Sequence, residues 1–206
     1  MLYDITPTLT RNIAVWPGDV PLTRDVRLDI ERGDPVTLSA MQATVHLGAH
    51  VDAPSHYGKD AATMERCPLE PYIGSCQVIR VAADRGARIS FDDLDSAIEA
   101  PRILIATGTF PDPNQFNEDF AALDPALVDE LYDLGVALIG IDTPSIDLCH
   151  DESLAAHARC LVHEVAILEG VDLSDVAPGT YELIALPLKL AGFDASPVRA
   201  ILRPQS

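Results

Sequence analysis

Short apolar runs rich in Val and Ile recur along the chain at residues 2–5, 77–81, 102–107, 136–141, 163–168, 181–186 and 199–202. Most have the length of buried strands. Helical signals fall between them. Ser90 followed by Asp93 has the form of a capping box and predicts a helix over 94–98. Asp124-Pro125 supplies an N-cap and a first-turn proline for a helix to residue 134, with Gly135 as its stop. A third helix is predicted over 152–160, which leaves His163 at the start of a strand. The alternation predicts a mixed α/β fold. No repeat, charge block or low-complexity linker divides the chain, and its 16 prolines are spread through turns, so residues 1–206 read as a single domain.

Superimposed on this pattern is a concentration of metal-competent side chains in His46-Leu47-Gly48-Ala49-His50-Val51-Asp52-Ala53-Pro54-Ser55-His56. Side chains alternate faces in an extended strand, so His46, His50 and Asp52 are predicted to share one face and to converge on one ion. Imidazole with carboxylate suits zinc or manganese, and the lack of a nearby thiolate argues against a structural zinc knot. Gly48 allows a bend or a close approach, and Pro54, with no N–H for a ladder, ends the strand. Three of the chain's six histidines lie in this segment, which sets it apart from scattered polar histidines. His56 falls just beyond the ligands.

Composition narrows the partners. A formal charge of −18 with only 14 Lys and Arg residues opposes nucleic acid or an anionic membrane as a target. The acidity reads as a solvated surface, and an anionic substrate needs local help from a metal or from a particular Arg or Lys. No apolar run approaches the roughly 18 residues of a membrane span, and residues 1–6 have neither the basic nor the apolar region of a signal peptide. The expectation is a cytoplasmic protein. Cys67, Cys76, Cys149 and Cys160 lack C-x-x-C spacing and read as free thiols.

Ligands from one strand leave coordination positions for a distant residue. His157, in the predicted 152–160 helix after the loop Asp142-Thr143-Pro144-Ser145-Ile146-Asp147, is one candidate. Glu169, which follows an apolar strand and precedes Gly170, is another, because α/β folds place chemistry at strand ends. His150 and His163 read as ordinary polar residues.

Together, the H-x-G-x-H-x-D-x-P-x-H segment, the 142–147 loop, the Glu169-Gly170 turn, Trp16-Pro17-Gly18-Asp19 and the C-terminal runs 178–190 and 194–200 resemble the bacterial kynurenine formamidases of the cyclase-like metal hydrolase family. The likeness spans nearly the whole chain. It implies a homodimeric enzyme with a swivelling β/α/β domain, a mixed sheet flanked by helices, and two zinc ions per subunit, with manganese as the other candidate metal. The implied reaction is hydrolysis of an aromatic formamide, N-formyl-L-kynurenine, to L-kynurenine and formate in tryptophan catabolism. Carried over by position, the first zinc falls to His46, His50, Asp52 and Glu169, and the second to Asp52, His157 and Glu169. His56 matches the proton-transferring histidine, and Trp16 the residue lying against the substrate ring. Ala49 departs from the threonine usual after the motif glycine, and its side chain is expected to point away from the ligands. Two rival readings remain open: a manganese-dependent hydrolase of a cyclic amide such as isatin, and a non-catalytic metal-binding protein.

Overall fold

A computed structural model describes residues 1–205. Its strands are β1 (Tyr3–Asp4), β2 (Thr23–Leu28), β3 (Leu38–Gln42), β4 (His50–Asp52), β5 (Ile73–Arg80), β6 (Arg88–Ile89), β7 (Arg102–Ala106), β8 (Ala122–Leu123), β9 (Leu138–Ile141), β10 (Ala166–Glu169), β11 (Gly179–Ile184), β12 (Ala195–Pro197) and β13 (Ile201–Pro204). Two α-helices join them, α1 (Pro125–Asp133) and α2 (Ala155–His163).

Nine strands form one mixed sheet in the order β1-β13-β11-β5-β7-β9-β10-β4-β12. Its centre, β5-β7-β9-β10, is parallel, while β4, β12, β11, β13 and β1 are added antiparallel. The apolar runs are continuous rather than alternating because both faces of the central strands are covered. Val78, Leu104, Leu138 and Leu168 enter one core with Ile5, Tyr72 and Leu173. Ile79, Ile103, Ile105, Ile139 and Ile167 enter the other, against Leu127, Val128 and Leu131 of α1 and Ala156 and Cys160 of α2. Both α-helices therefore pack on one face, and loops close the other.

Several elements differ from expectation, each for a local reason. The capping box of Ser90 and Asp93 forms, yet it starts only a short 3-10 turn, Phe91–Asp93. The Gln77 side chain donates to Ala97 O and accepts from Glu99 N, each at 2.8 Å, and holds the following segment out of a helix. α2 runs three residues later than predicted: Asp151 Oδ1 accepts from the Ser153 backbone and hydroxyl and shapes a turn before the helix. His163 thus ends α2 instead of starting a strand, and Glu164 leaves the helix at φ 55°. The β2–β3 hairpin, invisible in the apolar pattern, is exposed along the whole of β3. α1 begins and stops as predicted, with Asp124 accepting from Ala126 N and Gly135 at φ 85°.

Candidate metal centre

The carboxyl edge of the parallel strands carries the site. β10 ends in Glu169, β9 is followed by Asp142, and β4 pairs with β10 so that His50 lies opposite Glu169 in the ladder. The predicted single strand from His46 to Asp52 is not what forms: only His50–Asp52 is strand, and His46 comes from the bend before it. Gly48 breaks the extended run at φ 56°, where a Cβ would stand 2.7 Å from Leu9 Cδ2. Pro54 opens a 3-10 turn that places His56.

The bend still brings the side chains together. Asp52 Oδ1 lies 3.1 Å from His46 Nδ1 and 3.6 Å from His50 Nε2, while its Oδ2 lies 3.5 Å from His157 Nε2. Glu169 repeats the pattern, with Oε2 3.2 Å from His50 Nε2 and Oε1 3.5 Å from His157 Nε2. Each carboxylate thus divides its two oxygens between the His50 side and the His157 side. His50, Asp52 and Glu169 offer ligand atoms within 4.8 Å of one another, and so do His46, Asp52 and His56. Ala49 is buried in the core, away from the ligands, as expected.

The polar neighbours show what this donor set is suited to hold. His50 Nδ1 donates to Gly48 O at 2.8 Å, and His157 Nδ1 donates to Asp147 Oδ2 at the same distance. Those bonds fix the rings so that each Nε2 faces carboxylate oxygens. A neutral Nε2 presents a lone pair to anions, which is unfavourable unless a cation lies between them. His50 Nε2 and both oxygens of Asp52 are buried without a hydrogen-bond partner. Orphaned, fully buried charge of this kind is costly, and a divalent ion satisfies every atom of the set.

The ionisation shifts follow the same geometry. Burial pushes Asp52 up, but the surrounding imidazoles of His157, His46 and His50 hold it well below the carboxylate range. Burial and the Asp52 charge push Glu169 up, and His157 and His50 bring it below its usual value. His46 is lowered by burial, yet its contacts to Asp52 and Asp194 raise it to about 9. Asp147, pushed up by burial, is held at about 2 by the ring and backbone N–H of His157 and by Ala156 N–H.

His56 is exposed beside the cluster, its ring 4.2 Å from that of His46 and its Nδ1 3.5 Å from Asp194 Oδ2. It does not line the adjoining cleft. That cleft, of about 320 Å³, is walled by Trp16, Phe110 and Phe116 and reaches His46 and His50. Trp16 packs edge-on against Phe116, with ring centroids 5.4 Å apart, and keeps 37% of its surface exposed. Asp147, in the 142–147 loop, and Asp194, bonded to His46 Nε2 at 3.0 Å from 148 positions away, are supporting residues whose role has no local sequence signal. His150 pairs with Glu118, and His163 with Asp129. All four cysteines are unpaired, and burial raises each thiol, Cys76 to about 12, so none is poised as a thiolate nucleophile.

The Cyclase family, described as "Putative cyclase", matches residues 3–148, and the chain belongs to it. A solved structure described as a "Potential Metal-Dependent Hydrolase With Cyclase Activity" aligns with a TM-score of 0.85 at 27% identity, covering 100% of this chain and 99% of the other. A solved structure described as a "predicted metal-dependent hydrolase from Bacillus stearothermophilus" aligns at 0.82 and 28% identity, covering 98% and 97%. An isatin hydrolase bound to the product analogue thioisatinate aligns at 0.85, covering 99% and 92%; at 20% identity that likeness is one of fold. No helix among the described residues is long and apolar enough to cross a membrane.

Proposed function

We propose that this chain is a metal-dependent amidohydrolase that cleaves N-formyl-L-kynurenine to L-kynurenine and formate. The observation that carries the reading is the pair of buried carboxylates, Asp52 and Glu169, each divided between two sets of imidazoles, with both Asp52 oxygens left without a hydrogen bond, beside an aromatic-walled cleft. Two zinc ions, or manganese, fit this donor set. His46, His50, Asp52 and Glu169 would hold the first ion, and Asp52, His157 and Glu169 the second. Bound there, such ions supply Lewis-acid polarisation of the formyl oxygen and a nucleophile at neutral pH.

The chain's own residues supply the rest. His56, lowered by burial from its usual value, is neutral near pH 7 and suited to accept a proton. It passes that proton to the aniline nitrogen as the C–N bond breaks. Its Nδ1 lies beside Asp194, which also holds His46, so one carboxylate orients both rings. Trp16 presents a half-exposed indole to the substrate's ring, and Phe110 and Phe116 exclude water from that wall.

The same reading makes the protein a cytoplasmic homodimer acting on a small molecule. The exposed β2–β3 hairpin carries Val36, Leu38 and Met41 into solvent, and an isolated two-stranded ribbon is marginal unless covered. A second subunit would cover it. Sedimentation of the intact chain and of a Leu38→Glu, Met41→Glu variant tests this, and a monomeric parent protein rejects the dimer.

The function is tested with chelator-stripped protein titrated with zinc and supplied with N-formyl-L-kynurenine, following kynurenine absorbance. Activity that returns and saturates near two equivalents supports the proposal. Metal binding without kynurenine formation, together with opening of isatin, assigns the site to cyclic-amide hydrolysis instead. Metal binding with neither reaction leaves a binding protein.

A further inference from the structure

The cleft beside the metal-ligand cluster has a second chemical character besides its aromatic wall. Arg80, the last residue of β5, lines it together with Asp172 and Ser174. Among the described residues Arg80 is the one Lys or Arg side chain on the cleft wall, and it enters no ion pair. Its Nη2 donates to Leu173 O at 3.1 Å and Val176 O at 3.2 Å, which clamps the loop after β10 to the end of β5. Nε and Nη1 keep their N–H groups without a protein acceptor. On the clamped loop, Asp172 Oδ1 accepts from Ser174 N at 3.1 Å and from its hydroxyl at 2.6 Å. Asp172 Oδ2 has no such partner. The loop therefore holds a guanidinium with spare donors and a carboxylate with a spare oxygen on one cleft.

We infer that Arg80 and Asp172 form a subsite for a zwitterionic amino-acid head group carried by the aromatic amide substrate. Arg80 receives its carboxylate and Asp172 its ammonium. This rests on the formamidase reading and adds to it the part of the substrate remote from the scissile bond. The charge argument is specific. In a chain of net charge −18 a carboxylate ligand is repelled by its surroundings, and a guanidinium with free N–H donors on Nε and Nη1 is the local exception able to bind it. A neutral lactam such as isatin has no group to occupy either residue. Binding energy gained at this remote group orients the formamide for reaction.

The test compares two substrates, N-formyl-L-kynurenine and 2-formamidoacetophenone, which keeps the ring and the formamide but lacks the amino-acid group. The zinc-loaded parent protein is expected to favour the first by roughly 10- to 100-fold in kcat/KM, the gain typical of a charge-assisted contact. Arg80→Gln collapses that ratio, chiefly through KM, Asp172→Asn reduces it, and Arg80→Lys restores part of it. L-Kynurenine should likewise inhibit more strongly than 2-aminoacetophenone, and lose that advantage in Arg80→Gln. A ratio unchanged by Arg80→Gln, with both activities reduced alike, overturns the subsite and makes Arg80 only the clamp of the loop. Equal use of the two substrates by the parent protein overturns the subsite while the formamidase stands. Hydrolysis of neither overturns the formamidase reading and the subsite with it.

Discussion

Asp147 and His157 are bonded twice: Asp147 Oδ2 accepts from the His157 backbone N–H at 3.0 Å and from its ring Nδ1 at 2.8 Å. A third contact, from Arg88 Nη1 to Asp147 Oδ1 at 3.1 Å, holds the carboxylate from behind. The first turn of α2 and the ring it carries are thus fixed by one buried side chain. Asp147→Asn keeps the shape but replaces an anionic acceptor with an amide. It should weaken the metal equivalent held by His157 by roughly 10- to 100-fold. Competition titration with a chromophoric chelator reads this, and two equivalents that still bind with unchanged affinity would show that Asp147 serves α2 alone.

His56→Ala should retain two metal equivalents and lose turnover by about 10²- to 10⁴-fold, the usual contribution of a positioned proton carrier. The structure sharpens the measurement, because His56 also falls in a ligand-competent group with His46 and Asp52. Loss of a metal equivalent would make it a ligand, and turnover like the parent's would remove it from the mechanism.

Trp16 keeps more than a third of its surface exposed while touching Phe116 and Phe120 only through ring edges. Removing it should therefore cost little stability. Trp16→Ala is expected to raise KM for the aromatic formamide with a melting temperature close to the parent's. A large fall in melting temperature with KM unchanged would identify a packing residue.

Metal uptake should release protons. His46, raised to about 9 by Asp52 and Asp194, is cationic at pH 7.5 without metal and must be neutral to ligate. In the metal-free protein a raised pKa stabilises the fold fully below about 6.5, the unfolded value, and that stabilisation fades as pH rises through about 9. Metal affinity moves the opposite way, rising up to the same pH. Calorimetric titrations of zinc in buffers of different ionisation enthalpy measure the release directly, and a binding enthalpy independent of the buffer would contradict it.

Gly170 marks the closest approach in the site. At φ 67°, a Cβ on it would lie 2.3 Å from Gly48 O, so the turn after Glu169 and the bend between His46 and His50 touch backbone to backbone. Gly170→Ala must part the two ligand segments. It should cost about 1–3 kcal/mol of stability and weaken metal binding as well, read by chemical denaturation and by metal titration. A variant as stable and as tight as the parent would show that the contact is not needed.

Local chemistry explains what could be read from the chain alone. The continuous apolar runs gave the central strands because both faces of the sheet are buried, and Asp124-Pro125 with Gly135 gave α1 because caps act within a turn. The metal-competent residues stood out because five of them are the residue types and spacings that ion binding demands. Long-range contacts decided the remainder. Gln77 holds residues 97–99 out of a helix against a helical signal, and Asp194 and Asp147 find their histidines only in the folded chain. The pairing of β4 with β10 sets His50 opposite Glu169 across 119 positions of sequence. Such juxtapositions have no local signature, since the energy that creates them is the burial of the whole sheet, and only the tertiary structure turns a list of candidate ligands into one site.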